Sequence, residues 1–412
     1  MRLKRDEVNN GVVTKLTNVR PHGNADRLQL ATVLGATVVV GLDAKENDPC
    51  IYFDSNLALS NAYLHLNNLY SKSELNADVT KKGYFGKNGR VRAQRFRGEE
   101  SNGYTASLES VASVCNISAI DLTEGMEFQA LEDVEICKKY TVPSRCSGMS
   151  GPRTRSRDYN TKMFPKHWDT KHFRRCLEDI PKGLIYLEEK IHGTSGRMAY
   201  SLVERDLNWC EKLLQMFRVR INTTEWINLH GSRKVTLTKP KTPREHRFDH
   251  ALTSRIAIFN KIAPHLRKGE QLYYEIAGFE PNGAHIQKGF PYGCNEGESR
   301  VFLYRITMIN PDGYQVDMSR EYVYKRAEEL GMELPPRFQK AYYYNGNGEA
   351  LIKLVNSYTD GKSMLDVNTI REGVVIWFDT PNGWKCLKNK SFDFLQKESK
   401  LMDDENYVDP EA

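Results

Sequence analysis

Short apolar runs broken by turn residues fill the first third of the chain. VVTKL (12–16), LQLATVL (28–34), TVVVGL (37–42) and CIYF (50–53) read as strands, with Gly and Asn/Asp turns between the first three. Strands this short, with turn signals this frequent, predict a small barrel. An acidic patch, LEDVEIC (131–137), precedes KKYTVPSRCSGMSGPRTRSRDYN (138–160). That segment is rich in Gly, Ser, Pro and Arg, has little apolar periodicity, and reads as a linker. From about residue 165 the pattern becomes mixed α/β. GLIYLEEKI is a strand, DLNWCEKLLQMFRVRINTT holds a helix, and LTSRIAIFNKIAPHL (252–266) has helical spacing at Ile256, Phe259, Ile262 and Ala263. QLYYEIAGF, RVFLYRITMI and REGVVIWF read as buried strands, with REYVYKRAEELGM a helix between the last two. The expected division is a barrel domain over 1–135, a linker over 136–164 and an α+β domain over 165–412.

Composition narrows the class without naming it. Of 412 residues 40% are hydrophobic and 27% charged, and no apolar run approaches the ~18 residues of a membrane span, so a globular protein is expected. The start, MRLKRDEVNNG, lacks the apolar stretch of a secretory signal, which makes the cytoplasm the expected compartment. The eight cysteines are scattered with no CxxC pair, as for reduced thiols rather than a zinc site. A net charge of +6 suits a polyanionic partner but does not require one.

The chemistry begins at LEEKIHGTSGRMAY (187–200), where Lys190 ends an apolar strand three residues before Gly193. Further motifs follow in order: Glu275 in YYEIAGF, Phe302 and Tyr304 in VFLYRI, Glu372 opening EGVVIWF, and Lys388 and Lys390 in WKCLKNKS. Each alone is weak, since a strand-end glutamate is usually a solvated charge and aromatics two apart usually share a core face. The order K-x-[HD]-G, E, aromatic strand, EGVV, KxK is informative. In it the chain resembles the covalent nucleotidyltransferases, and in K-x-H-G-T the ATP-dependent RNA ligases.

That resemblance implies an amine nucleophile. Lys190 would attack the α-phosphate of ATP in its neutral form and carry AMP as a phosphoramidate, with pyrophosphate leaving. Lys388 and Lys390 would hold phosphate oxygens and neutralise charge in the transition state. A divalent ion, Mg²⁺ (or Mn²⁺), would bridge the phosphates, its waters held by Glu372, with Glu275 on the ribose or on those same waters. Tyr304 would stack on adenine, with Phe302 in reserve on the same strand face. Arg197 matches the family arginine that contacts the nucleotide or the 3′-end, and Arg233 resembles a further arginine of the family. His192 stands where many relatives have Asp, and is as well explained by packing in the turn.

The segment HGNADRLQLATVLGATVVVG (22–41) resembles the start of OB-type modules, where Asn24, Ala25 and Asp26 shape a turn. Further on, seven basic residues (81, 82, 87, 90, 92, 95, 97) run without an acid, interleaved with Tyr84, Phe85 and Phe96. Glycines alternating with basics and aromatics favour a nucleic-acid groove built from Lys87, Arg90, Arg92, Arg95 and Arg97. As a separate module it would leave self-adenylylation untouched when mutated. An OB module ahead of the transferase resembles the Deinococcus-type RNA ligases, since the 412 − 390 = 22 residues after Lys390 are too few for a second barrel. The implied fold class is α+β: an N-terminal OB-type β-barrel, then an adenylyltransferase domain of antiparallel sheets flanked by helices. The implied partner is RNA, or an RNA-containing duplex with a nick, and no membrane. Two rival readings remain: a nucleic-acid-binding protein without activity, and a ligase of DNA ends. No GxxxxGK[ST] phosphate loop is present, so a separate enzyme would have to supply 5′-phosphates.

Overall fold

The computed structural model describes residues 2–142, 162–233, 236–237 and 252–403. Most of the expected linker, 143–161, lies outside the described residues. Its beginning is ordered into the fold instead: Cys137–Lys139 pairs antiparallel with Leu57–Leu59.

The four predicted early strands are present as Gly11–Lys15, Gln29–Val33, Ala36–Val40 and Pro49–Phe53. Among the described residues the N-terminal strands form five small antiparallel sheets, and no closed barrel is traced. Val13, Ile51, Phe53, Leu57 and Phe128 build one core beneath them, which the helix Leu108–Cys115 closes with Val111, Ala112 and Cys115. Ser107 starts that helix by accepting the Ser110 N–H, and Asn116 ends it in the left-handed conformation.

The second half is built on two sheets. One has six strands in the order Thr236–Leu237, Thr224–Ser232, Thr194–Glu204, Glu270–Gly278, Ser299–Ile309, Gln315–Asp317, all antiparallel. The predicted helices Leu252–Ile262 and Arg320–Leu330 cover it with Ile262, Val323, Ala327 and Leu330. The other sheet runs Lys171–His172, Gly383–Lys390, Gly373–Thr380, Gly183–Glu189, Tyr342–Tyr344, antiparallel except where Lys171–His172 joins. The helix Gly348–Thr359 packs Leu351 and Val355 on it beside Ile185, Leu187 and Ile376. The helix Trp209–Met216 buries none of its residues and is tied down by Glu211, which accepts both from Arg205 and from the Asn208 N–H. Among the described residues no helix is long and apolar enough to cross a membrane.

Candidate active site

Strand register brings the site together. Lys190 follows Gly183–Glu189 directly, and its N–H donates to Gly373 O at 3.0 Å. Glu189 lies opposite Val374 and Gly373 opposite Lys390. Lys190, Glu372 and Lys390 therefore meet where three neighbouring strands reach the same edge of the sheet. Gly373, with φ 150°, makes this possible, because a Cβ there would lie 2.0 Å from Asn389 O. Period-two alternation then turns Cys386, Lys388 and Lys390 into the cleft and leaves Lys385 exposed on the opposite face.

A carboxylate between two ammonium groups forms the centre. Lys190 Nζ donates to Glu372 Oε2 at 2.9 Å, and Lys390 Nζ lies 3.4 Å from Glu372 Oε1 and 3.3 Å from Glu398 Oε1. Burial pushes the Glu372 carboxyl up, but Lys190, Lys390 and His192 outweigh it and hold the pKa at about 2. Burial works against the charge on Lys390 as well, yet Glu398 and Glu372 win and raise its pKa. Lys388 fares differently. Burial, then Lys390 and Lys190, bring its ammonium down to about 8.

The turn after Lys190 is held by the six-stranded sheet. Glu275 accepts from the Gly193 N–H at 3.1 Å and from Ser195 Oγ at 2.9 Å, and Gln287 donates to Gly193 O at 2.9 Å. A Cβ on Gly193 would lie 2.1 Å from Ile276 O, a backbone atom that cannot swing away. Gly193→Ala is therefore expected to lower stability by about 1–3 kcal/mol, read as a fall in melting temperature. An unchanged melting temperature would show that the two strands part at little cost. The His192 N–H donates to Tyr292 Oη at 2.7 Å, and its ring stands edge-on to Phe290 and Phe394. Burial lowers the imidazole pKa although Glu372 is near. His192 thus does both things the sequence allows: it packs in the turn and lines the cleft.

Of the remaining expected residues, Arg197, Arg233, Glu275 and Tyr304 line the same cleft. Arg197 is 2% exposed, and it spends its donors on Phe164 O (2.6 Å) and Ser232 O (3.1 Å), with burial lowering its pKa to about 10. Arg233 pairs with Asp169 at the rim. Tyr304 has His167 edge-on to it at 5.3 Å. Phe302 is a correction. Tyr273 pairs with Arg305 but Tyr274 with Leu303, so a bulge breaks the alternation between Phe302 and Tyr304. Phe302 is fully buried with Ile191, Ala277 and Phe394, away from the cleft.

The basic stretch does not form one exposed groove. Lys87, Arg95 and Arg97 are at the surface, Arg92 is half-buried, and Arg90 is 1% exposed. Arg90 points inward because the carbonyl of Ser399 and the carboxylate of Asp403 are there to receive it. Arg97 sits in a turn at φ 46° and bonds Asn24 O at 3.2 Å, while Asn24 Nδ2 returns a bond to Arg97 O.

Among the described residues no three His, Cys, Asp or Glu side chains converge as a metal cage. Mg²⁺ needs only one or two carboxylates when phosphates complete its shell, and Glu372, ionised and facing the cleft, fits that use. Each oxygen of Glu372 already faces a lysine, as each oxygen of Glu275 holds the Gly193 turn, so either would hold a metal-bound water through a remaining lone pair. The glutamates before Lys190 are structural: Glu188 is paired with buried Arg320 and accepts from Tyr324 Oη, and Glu189 accepts the Met364 N–H at 2.8 Å. Two residues escaped the sequence reading. Glu398 follows the KxK motif by eight residues on a helix, and Arg255 donates from another helix to Thr194 Oγ1 and Ser195 O.

Solved structures of similar fold include those of an RNA ligase. A variant of Naegleria gruberi RNA ligase with AMP and Mn aligns at TM-score 0.60 over 94% of this chain and 98% of that one, at 16% identity. The same ligase as a variant with ATP and Mn gives 0.58 over 94% and 98%, also at 16% identity. With PPi it gives 0.56 over 95% and 98%, again at 16%. At this identity the likeness shows the fold, a mixed α+β arrangement of antiparallel sheets and helices over nearly the whole of both chains. No protein-family model and no curated protein matches the chain.

Proposed function

We propose that the chain is an ATP-dependent RNA ligase that joins 3′-OH and 5′-phosphate ends at nicks in a duplex. The observation that carries this reading is Lys190, one amine at the head of a cleft also lined by Glu372, Lys388, Lys390, Glu275 and Tyr304. The similar structures bear on it because their names give AMP, ATP with Mn, or PPi as bound. In three steps, Lys190 Nζ attacks the α-phosphorus of ATP and pyrophosphate leaves. A 5′-phosphate oxygen then takes AMP from the lysine. A 3′-OH finally attacks that 5′-phosphorus, losing its proton, and AMP leaves.

Glu372 holds Nζ in place before attack, and Lys388 and Lys390 face the oxygens on which charge grows. A divalent ion bound with ATP would add charge neutralisation at the phosphates, with Glu372 holding its water shell. Tyr304 offers adenine a flat face, and Arg197 and Arg233 border the nucleotide. In this reading residues 1–135, extended by the strand Cys137–Lys139, are an OB-type module that precedes a ligase domain over 165–412. That order is the Deinococcus-type arrangement, and Lys87, Arg95 and Arg97 are its surface contacts to RNA.

Lys388 makes ATP binding pH-dependent. With its pKa brought to about 8, it is charged below that pH and neutral above it. ATP affinity is expected to fall about tenfold between pH 7 and pH 9, and Lys388→Arg to flatten the decline. The same slope in both proteins would assign it to another group. The reading itself is tested on nicked duplexes with ATP and Mg²⁺, the 3′-terminal sugar being ribose or deoxyribose. Sealing of the ribose nick is expected. Equal rates on both would remove RNA from the assignment, and no sealing of either would overturn it.

A further inference from the structure

The helix Phe392–Met402 starts at Ser391, whose Oγ accepts the Phe394 N–H, and it serves two parts of the protein at once. Toward the cleft it presents Glu398, which receives Lys390 Nζ at 3.3 Å. Away from the cleft it is gripped by residues 90–95. Arg90 donates to Ser399 O at 2.9 Å and to Asp403 Oδ1 at 3.1 Å, and lies 4.8 Å from the Tyr140 ring. Arg92 donates to both Asp403 oxygens, at 3.0 and 3.3 Å. The Ala93 N–H donates to Ser399 Oγ at 3.2 Å, and Arg95 reaches Asp393 at the start of the helix at 3.2 Å.

A guanidinium buried to 1% exposure is tolerated only with its partners in place. Arg90 therefore fixes the end of the helix with more than surface strength. Glu398 lies one residue before Ser399, the residue clamped through both its carbonyl and its hydroxyl. Phe394 and Leu395 pack the first turns of the helix into the core and Lys397 donates to Gly289 O, but the clamp at Ser399 is the anchor next to Glu398 and fixes the turn that carries its carboxylate to Lys390.

We propose that Arg90 is a positioning residue for the first chemical step: by clamping the helix Phe392–Met402 it holds Glu398 against Lys390. The inference rests on the ligase reading and extends it. Residues near the start of the chain would govern lysine adenylylation as well as polynucleotide contact, contrary to what a separate binding module would do.

The test uses the full chain, with Arg90→Ala, Glu398→Ala and the double variant. Single-turnover labelling by ATP carrying a radioactive α-phosphate gives a rate constant and the fraction of molecules labelled. Arg90→Ala and Glu398→Ala are each expected to slow the rate constant about tenfold, as for a catalytic group misplaced by a fraction of an ångström. The labelled fraction should be unchanged, whereas partial unfolding would lower the fraction and spare the rate. The double variant should be no slower than the slower single one. A wild-type rate constant in Arg90→Ala, or effects that multiply, would overturn the proposal. Hydrogen exchange supplies a readout that needs no activity. Arg90→Ala should speed exchange across 392–402, and unchanged protection there would also overturn the clamp. If Arg90→Ala does not fold, Asp403→Asn loosens the same contact from its exposed side, with the same expectations. Wild-type protein that takes no label would count against the ligase reading, and exchange would still report on the clamp.

Discussion

Lys190→Ala is expected to take no label from ATP radioactive in its α-phosphate, a loss of at least ~10³-fold. Among the described residues three lysines line the cleft, and of these only Lys190 both begins the turn that Glu275 holds and has its Nζ in direct hydrogen bond with Glu372. Lys390 is kept charged between two carboxylates, so its lone pair is withheld. Lys388 is the rival, since with a pKa of about 8 a sizeable share of its amine is neutral near that pH. Mapping the labelled peptide decides between them. Label on the peptide containing Lys190 in the wild type, absent from the variant and discharged by pyrophosphate, supports the assignment. Label on Lys388, or undiminished label in Lys190→Ala, ends it. The variant should still join a strand whose 5′-end already carries AMP, because the 3′-OH then reacts without the lysine. Failure on that substrate would mean that the substitution damaged more than the nucleophile.

The strands and motif residues at the site could be read from the sequence because each is a local pattern. Apolar runs marked Gly183–Glu189, Glu270–Gly278 and Gly373–Thr380 nearly to the residue, with Lys190 and Glu372 flanking two of them and Glu275 as the charge inside the third. What failed was non-local. Period-two alternation puts Phe302 on the face of Tyr304, but it holds only until a bulge, and the bulge is set by pairing with Tyr273 and Tyr274. Arg90 belonged to what looked like a solvated charge run, and its burial depends on Ser399, 309 residues away. Glu398 had a local signal that went unused. Ser391 before an apolar run, with Asp393 in the first turn, announces a helix directly after the KxK motif, and that helix carries Glu398 back to Lys390.

Glu372→Gln should cost stability as well as activity, and the loss should depend on pH in a set direction. The side chain is 2% exposed, and in the wild type its charge lies within 3.4 Å of both Lys190 and Lys390. Glutamine keeps the shape but leaves two ammonium groups facing each other across a neutral amide. Removing one partner of a buried ion pair costs about 3–5 kcal/mol, and the low end applies because Lys190 reaches solvent and Lys390 keeps Glu398. The folded pKa is about 2 against 4.5 for a free glutamate, so folding favours the ionised form. Stability from this group is then fully present above pH 4.5 and is lost as the pH falls through about 2. That shift corresponds to about 3 kcal/mol, consistent with the cost of the substitution, and by pH 3 more than half of it is gone. Urea unfolding of the two proteins, at pH 7 and again at pH 3, reads this as a gap that narrows on acidification. A gap of equal size at both pH values would place the stabilisation in the packing of residue 372 rather than its charge. No gap at pH 7 would mean that the ammonium groups find other partners when Glu372 is gone.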